Sequence, residues 1–130
     1  MNEVNDYMSK LKSGVIALVN ECHGAAVRGH WWHNIETGEP LERNKGELLC
    51  LIHSEISEAM EGARKGRNDD HLPHRPQLEV ELADAMIRIC DFAGGFNLDI
   101  AGAIVEKLEY NAKRADHDPA NRLKDGGKKF

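Results

Sequence analysis

The sequence predicts an all-α domain of the four-helix-bundle type, and three observations carry that expectation. Apolar residues recur at spacings of three and four along four separate stretches. Each stretch is bounded by a glycine, a proline or a capping residue. No segment alternates apolar and polar as a half-buried strand does, and no repeat or long linker interrupts the chain, so residues 1–130 read as one domain.

The first helix is expected over about 3 to 28, where Val4, Tyr7, Met8, Leu11, Val15, Leu18, Val19 and Cys22 share a face. Gly14, Gly24 and Gly29 weaken it. His30-Trp31-Trp32-His33-Asn34-Ile35-Glu36-Thr37-Gly38-Glu39-Pro40 reads as a loop, completing a first segment of 1–42. A second helix spans about 43 to 64, with Leu48, Leu49, Ile52, Ile56, Ala59, Met60 and Ala63 as its apolar face and Gly66 as its stop. Pro73 and Pro76 make the following stretch a loop. A third helix covers about 77 to 93 and ends at Gly94-Gly95, closing a segment of 43–94. The last segment, 97–130, starts a fourth helix at the N-cap Asp99, runs to about Arg114, and ends in a tail punctuated by Asp118-Pro119 and Gly126-Gly127.

Composition excludes several functions. A net charge of −5 argues against nucleic-acid binding, which needs clustered Lys and Arg. No apolar run approaches the roughly 18 residues of a membrane span. The start, Met1-Asn2-Glu3, lacks the pattern of a signal peptide, so a cytoplasmic protein is expected. Cys22, Cys50 and Cys90 are odd in number and contain no Cys-x-x-Cys, and are expected as reduced, packed thiols.

The chemistry is expected at two acidic pairs, Glu55/Glu58 and Glu81/Asp84. Each pair is three residues apart on a helix, so both acids of a pair project from one side. At about 100° per residue, Glu55 falls inside the apolar arc of its helix, and Glu58 lies at the edge of that arc. In the third helix Leu78, Leu82, Ala85, Met86 and Ile89 form one apolar face, and Val80, Ala83 and Ile87 form another. Glu81 and Asp84 occupy the strip between, so a helix packed on both sides would bury them. Four converging acids need compensation, because an unpaired buried charge costs several kcal/mol. Arg88 and Arg64 supply part of it; a cation is the economical remainder.

The absence of any Glu-x-x-His or Asp-x-x-His removes the usual di-iron pattern, and His71-x-x-His74 in its proline-flanked loop reads as surface histidines. An all-oxygen donor set favours Mg²⁺, with Mn²⁺ as a substitute, and Mg²⁺ commonly completes its shell with substrate phosphates. In the fourth helix Lys107, Asn111 and Arg114 recur at i, i+4 and i+7, a spacing that places them on one face as a candidate phosphate clamp.

Ser54-Glu55-x-x-Glu58, Glu81-x-x-Asp84, Lys107-Leu108-Glu109-Tyr110-Asn111 and the Gly-Lys-Lys-Phe end together resemble the MazG-like nucleotide pyrophosphohydrolases of the all-α NTP pyrophosphatase superfamily, over roughly residues 43 to 130. The resemblance implies a homodimer or homotetramer that hydrolyses a nucleoside triphosphate to the monophosphate and pyrophosphate. It implies Glu55, Glu58, Glu81 and Asp84 as Mg²⁺ ligands, with Glu55 or Glu58 also accepting the proton of the attacking water. Many relatives carry a Glu where this chain has Ser54. Lys107, Asn111 and Arg114 would hold the outer phosphates. The family's base pocket draws on the first helix and the loop after it, which points to Asn20, Trp31, Trp32 and Asn34; either tryptophan fits equally well a place in the core or a subunit interface. The alternative function is a non-catalytic oligomeric nucleotide sensor. A helix-turn-helix regulator is disfavoured by the acidic charge and the lack of a basic recognition helix.

Overall fold

In the computed structural model, which describes residues 3–130, helix α1 runs Glu3–Arg28, α2 Lys45–Lys65, α3 Gln77–Gly95 and α4 Ile100–Ala112. A 3-10 turn at Ala115–His117 and a short helix α5 at Pro119–Arg122 follow, where the sequence suggested only a tail. Met1 and Asn2, part of the start read above, lie outside the described residues. Among the described residues no strand forms; isolated antiparallel bridges, His33 with Pro40 and Asn68 with Pro76, close two loops. The all-α class is the one predicted, and no helix is long and apolar enough to cross a membrane.

The helix ends have local causes. The His30 N–H donates to the Val27 carbonyl and the Trp31 N–H to the Ala26 carbonyl, a Schellman closure with His30 in the left-handed region at φ 63°. That reversal, one residue beyond Gly29, sets the direction in which Trp31 leaves α1. Helix α2 starts at the N-cap Asn44, whose side-chain oxygen accepts from the Glu47 N–H at 3.0 Å. It stops at Gly66, left-handed at φ 60°, as the sequence predicts. The second Schellman closure ends α3, with Asn97 at φ 53° and the Leu98 N–H donating to the Ala93 carbonyl. Asp99 caps α4 through the Gly102 N–H at 2.9 Å.

The chain divides into two compact units. One is residues up to Ile16 together with Asp99–Phe130; the other is Ala17–Leu98. In the first, Ala101 and Gly102 of α4 are buried, and the Arg122 guanidinium holds the carbonyls of Lys128 and Lys129, which fastens the end of the chain to α5.

In the second unit α2 and α3 pack side by side. The apolar residues buried there are small: Ala59 and Gly62 on α2, Ala85, Cys90 and Ala93 on α3, and Cys22 on α1. This corrects the predicted core. Ile56 and Met60 on α2, and Leu82, Met86 and Ile89 on α3, are exposed, although they dominate the apolar faces read from the sequence. The physical reason is close backbone approach: helices meeting through alanine and glycine leave the larger side chains projecting past the contact. Cys50, expected to be packed, is exposed as well.

Candidate functional site

The α2–α3 contact brings the two acidic pairs together. Glu55, Glu81 and Asp84 each offer a carboxylate oxygen, and these oxygens lie within 4.8 Å of one another. Glu58 joins all three in lining a cavity of about 690 Å³. Glu81 is buried, at 8 % exposure, although α3 is not covered on both of its apolar faces, since Leu82, Met86 and Ile87 are exposed; Glu58 is exposed. Ala59, Gly62 and Ala85 are buried along the two helices, and at Gly62 a Cβ would meet Gln77 and Leu78 of α3 at 3.0–3.1 Å, so the helices approach closely there.

Charge is only partly balanced. The Arg88 Nε donates to Glu55 Oε1 at 2.7 Å, so Arg88 supplies the compensation expected of it. Arg64 does not: its guanidinium lies 3.9 Å from Glu61. Glu58 makes no ion pair among the described residues. Burial, then contact with Glu55 and the charges of Glu58 and Glu55, pushes the Glu81 carboxyl up to about 7. Asp84 is also raised, first by burial and next by Glu55, with Arg88 working against the shift. Three carboxylates offering oxygens within 4.8 Å of one another, with one arginine beside them, form an all-oxygen donor set that fits Mg²⁺ or Mn²⁺.

A stability test follows from Glu81. The folded chain holds this proton more tightly than the unfolded chain, so the stabilisation is complete at acid pH. It is lost as pH rises from the ordinary glutamate range through about 7. With chelator present, the Tm of wild type relative to Glu81→Gln should fall over that interval and level off above it. A difference that stays flat with pH would show that Glu81 is not crowded.

The loop between α2 and α3 supplies wall residues that the sequence did not single out. Asp69 is buried, and its Oδ2 accepts from the N–H groups of His71 and Leu72 at 2.9 and 2.8 Å. Asp69, Asp70, His71 and Arg67 line the acidic cavity; Arg67 also donates to the side-chain oxygen of the buried Gln77. The signal available was Asn68-Asp69-Asp70 before a proline-bounded segment, a turn-forming run that carries no periodicity to mark which face it serves.

A second cavity, of about 590 Å³, opens on the other side of Glu55 and Asp84. Its walls are Cys22, Ala25 and Ala26 of α1, Leu48 and Leu51 of α2, and Ile87, Arg88, Asp91 and Phe92 of α3, with Trp31 and Arg43 at the loop. Its lining mixes apolar side chains with the charged Arg43, Glu55, Asp84, Arg88 and Asp91, a composition open to a small molecule with both an apolar and a polar part. Of the base-pocket candidates, the structure brings Trp31 here, 65 % exposed, with its backbone carbonyl held by Arg43 Nη1. Trp32 is placed elsewhere: its Nε1 donates to Asp91 at 2.8 Å, and its ring meets His23 and Phe96 edge-on. It also lies over Gly95, where any Cβ would overlap the ring. The Asn34 side chain closes its own turn, accepting from the N–H groups of Glu36 and Thr37. Asn20 is exposed on α1 and is not among the residues lining this cavity.

The phosphate candidates belong to the other unit and are described there. Lys107 lies over the Tyr110 ring at 4.6 Å, and the Asn111 side-chain oxygen is buried with no hydrogen-bond partner among the described residues. The predicted common face for all three is corrected, because α4 ends at Ala112 and Arg114 continues in an extended conformation. Its guanidinium is taken by Asp116 in a two-point contact at 2.9 and 2.6 Å.

Compared with protein-family models, with curated proteins and with solved structures, the chain matches none.

Proposed function

We propose that the protein is a Mg²⁺-dependent nucleoside triphosphate pyrophosphohydrolase, acting in the cytoplasm as a homo-oligomer and releasing a nucleoside monophosphate and pyrophosphate. The observation that carries this reading is the meeting of Glu55, Glu81 and Asp84 within 4.8 Å beside a partly apolar cavity that shares Glu55 and Asp84 with them. A cation–phosphate centre and a partly apolar compartment joined by common residues suit a ligand with an anionic chain at one end and a flat ring at the other. The likeness of the two acidic motifs to those of MazG-like enzymes points the same way.

Glu55, Glu58, Glu81 and Asp84 would hold the ion. When bound, Mg²⁺ neutralises phosphate oxygens and eases deprotonation of water. Glu58 is the acid we assign as proton acceptor, since Glu55 is already engaged by Arg88 while Glu58 is exposed and carries no ion pair among the described residues. The water oxygen forms a bond to the α-phosphorus, the bond from that phosphorus to the bridging oxygen breaks, and pyrophosphate leaves. Leu48, Leu51, Ile87 and Trp31 exclude water from the ring and orient it. Lys107 and Asn111 are retained as candidates for the outer phosphates; Arg114 could serve only after release from Asp116.

The test is a turnover screen of ribo- and deoxyribonucleoside triphosphates with Mg²⁺, read by chromatography of the phosphate species. Monophosphate and pyrophosphate should appear in equal amounts from at least one nucleotide, and chelator should abolish both. Unchanged nucleotides after prolonged incubation, with binding intact, would leave the sensor reading instead.

A further inference from the structure

We infer that Asp91 selects the base, favouring a ring that carries an amino group over one that carries a carbonyl at the same position. This rests on the nucleotide reading of the site and extends it to substrate class.

Asp91 lies seven residues after Asp84 on α3, hence on the same face of the helix, and lines the partly apolar cavity together with it. Its two oxygens have different surroundings. Oδ1 accepts from Trp32 Nε1 at 2.8 Å and from His23 Nδ1 at 2.9 Å. A carboxylate only accepts, so His23 must carry its proton on Nδ1. These donors come from α1 and from the loop after it, so three separate stretches of chain fix the carboxylate. Trp32 is itself immobilised edge-on between His23 and Phe96, with ring centroids 5.4 Å apart in each case.

Oδ1 is thereby saturated, while Oδ2 has no hydrogen-bond partner among the described residues. The side chain keeps 22 % of its surface exposed, and the cavity is the space that Asp91 lines. The two cations of that cavity are committed elsewhere, Arg88 to Glu55 and Arg43 to the Trp31 carbonyl. The result is a fixed, unclaimed acceptor at the wall of a cavity whose other charged groups are the two committed arginines and the acids Glu55 and Asp84 of the candidate metal site. An amino N–H of a base donates to it. A carbonyl at that position sets two acceptors against each other and leaves both unsatisfied in a poorly hydrated space, which is strongly discriminating. Two substrate pairs carry this exchange, together with a change of the neighbouring ring nitrogen from acceptor to N–H donor: cytosine against uracil, and adenine against hypoxanthine.

The experiment compares kcat/KM for dCTP with dUTP and for dATP with dITP, in wild type and in Asp91→Asn. Wild type should prefer the amino member of each pair about tenfold or more, chiefly through KM. In Asp91→Asn the amide oxygen must stay on the Trp32 and His23 donors, so the amide nitrogen turns to the cavity as a donor. The preference should then fall at least about tenfold, towards the carbonyl bases. A wild-type ratio near one overturns the inference without recourse to a variant, as does an unchanged ratio in a variant whose Tm and tryptophan emission match wild type. Calorimetric binding of dCMP and dUMP with Mg²⁺ separates the two readings. Selective binding without hydrolysis upholds Asp91 and removes the enzyme; hydrolysis without selectivity does the reverse; neither binding nor hydrolysis removes both.

Discussion

Replacing Asp84 by asparagine is expected to lower turnover by roughly 10³-fold or more while raising thermal stability in the absence of metal. The first effect follows from removing a charged oxygen where the ion and the developing phosphate charge must be balanced; losing even one neutral stabilising group in such sites costs about 10²–10³. The second follows from the raised Asp84 carboxyl. Burial and Glu55 make its ionised form unfavourable in the folded chain, so a neutral isostere relieves repulsion at neutral pH. Glu58→Gln should lose activity comparably with a smaller gain in Tm, because Glu58 is exposed. Steady-state kinetics and thermal melts with chelator read both quantities on the same samples. Activity loss accompanied by unfolding would make Asp84 a structural residue, and full activity in both variants would refute the ligand assignment.

What the sequence could reveal of this arrangement is what local rules govern. The four long helices, the stop at Gly66, the cap at Asp99, and the siting of the acids at i and i+3 depend on neighbours within one turn. Periodicity alone therefore led to Glu55 and Glu81 as partly buried acids. Which large side chains are covered does not follow from periodicity, because it depends on the partner surface. Leu82 and Met86 belong to a clear apolar arc and are exposed all the same. The i+7 step to Arg114 failed because it assumed a helix two residues longer than the one that forms, and Asp116, just beyond, captured the guanidinium. Asp91 was out of reach for another reason: its role depends on Trp32 and His23, 59 and 68 residues away in the chain.

The exposed arcs carry the second large prediction. Leu49, Ile56 and Met60 follow one another along α2 at steps of seven and four, and Leu82, Met86 and Ile89 follow along α3 at steps of four and three, all exposed. Met60 and Met86 are 57 % and 56 % exposed. Rows of this kind on adjacent helices suit burial against a second copy, which is the association we predict. Met60→Glu combined with Met86→Glu should weaken self-association by about 100-fold or more, because each places an unpaired charge in a desolvated contact. Sedimentation of wild type at micromolar concentration should show a dimer or tetramer, and the double variant a monomer with a lower Tm. A wild-type monomer would refute the association outright.

The seam of Ala59, Gly62 and Ala85 has a mechanical consequence. Methyl groups and hydrogens have no rotamers to exchange, so the spacing of the two acid-bearing backbones has almost no soft coordinate. On the proposed function, a nucleotide arriving or departing would meet jaws of nearly constant gape. Whatever yields during a catalytic cycle must then be sought in the polar arch that joins α2 to α3, or in the long side chains at the rim.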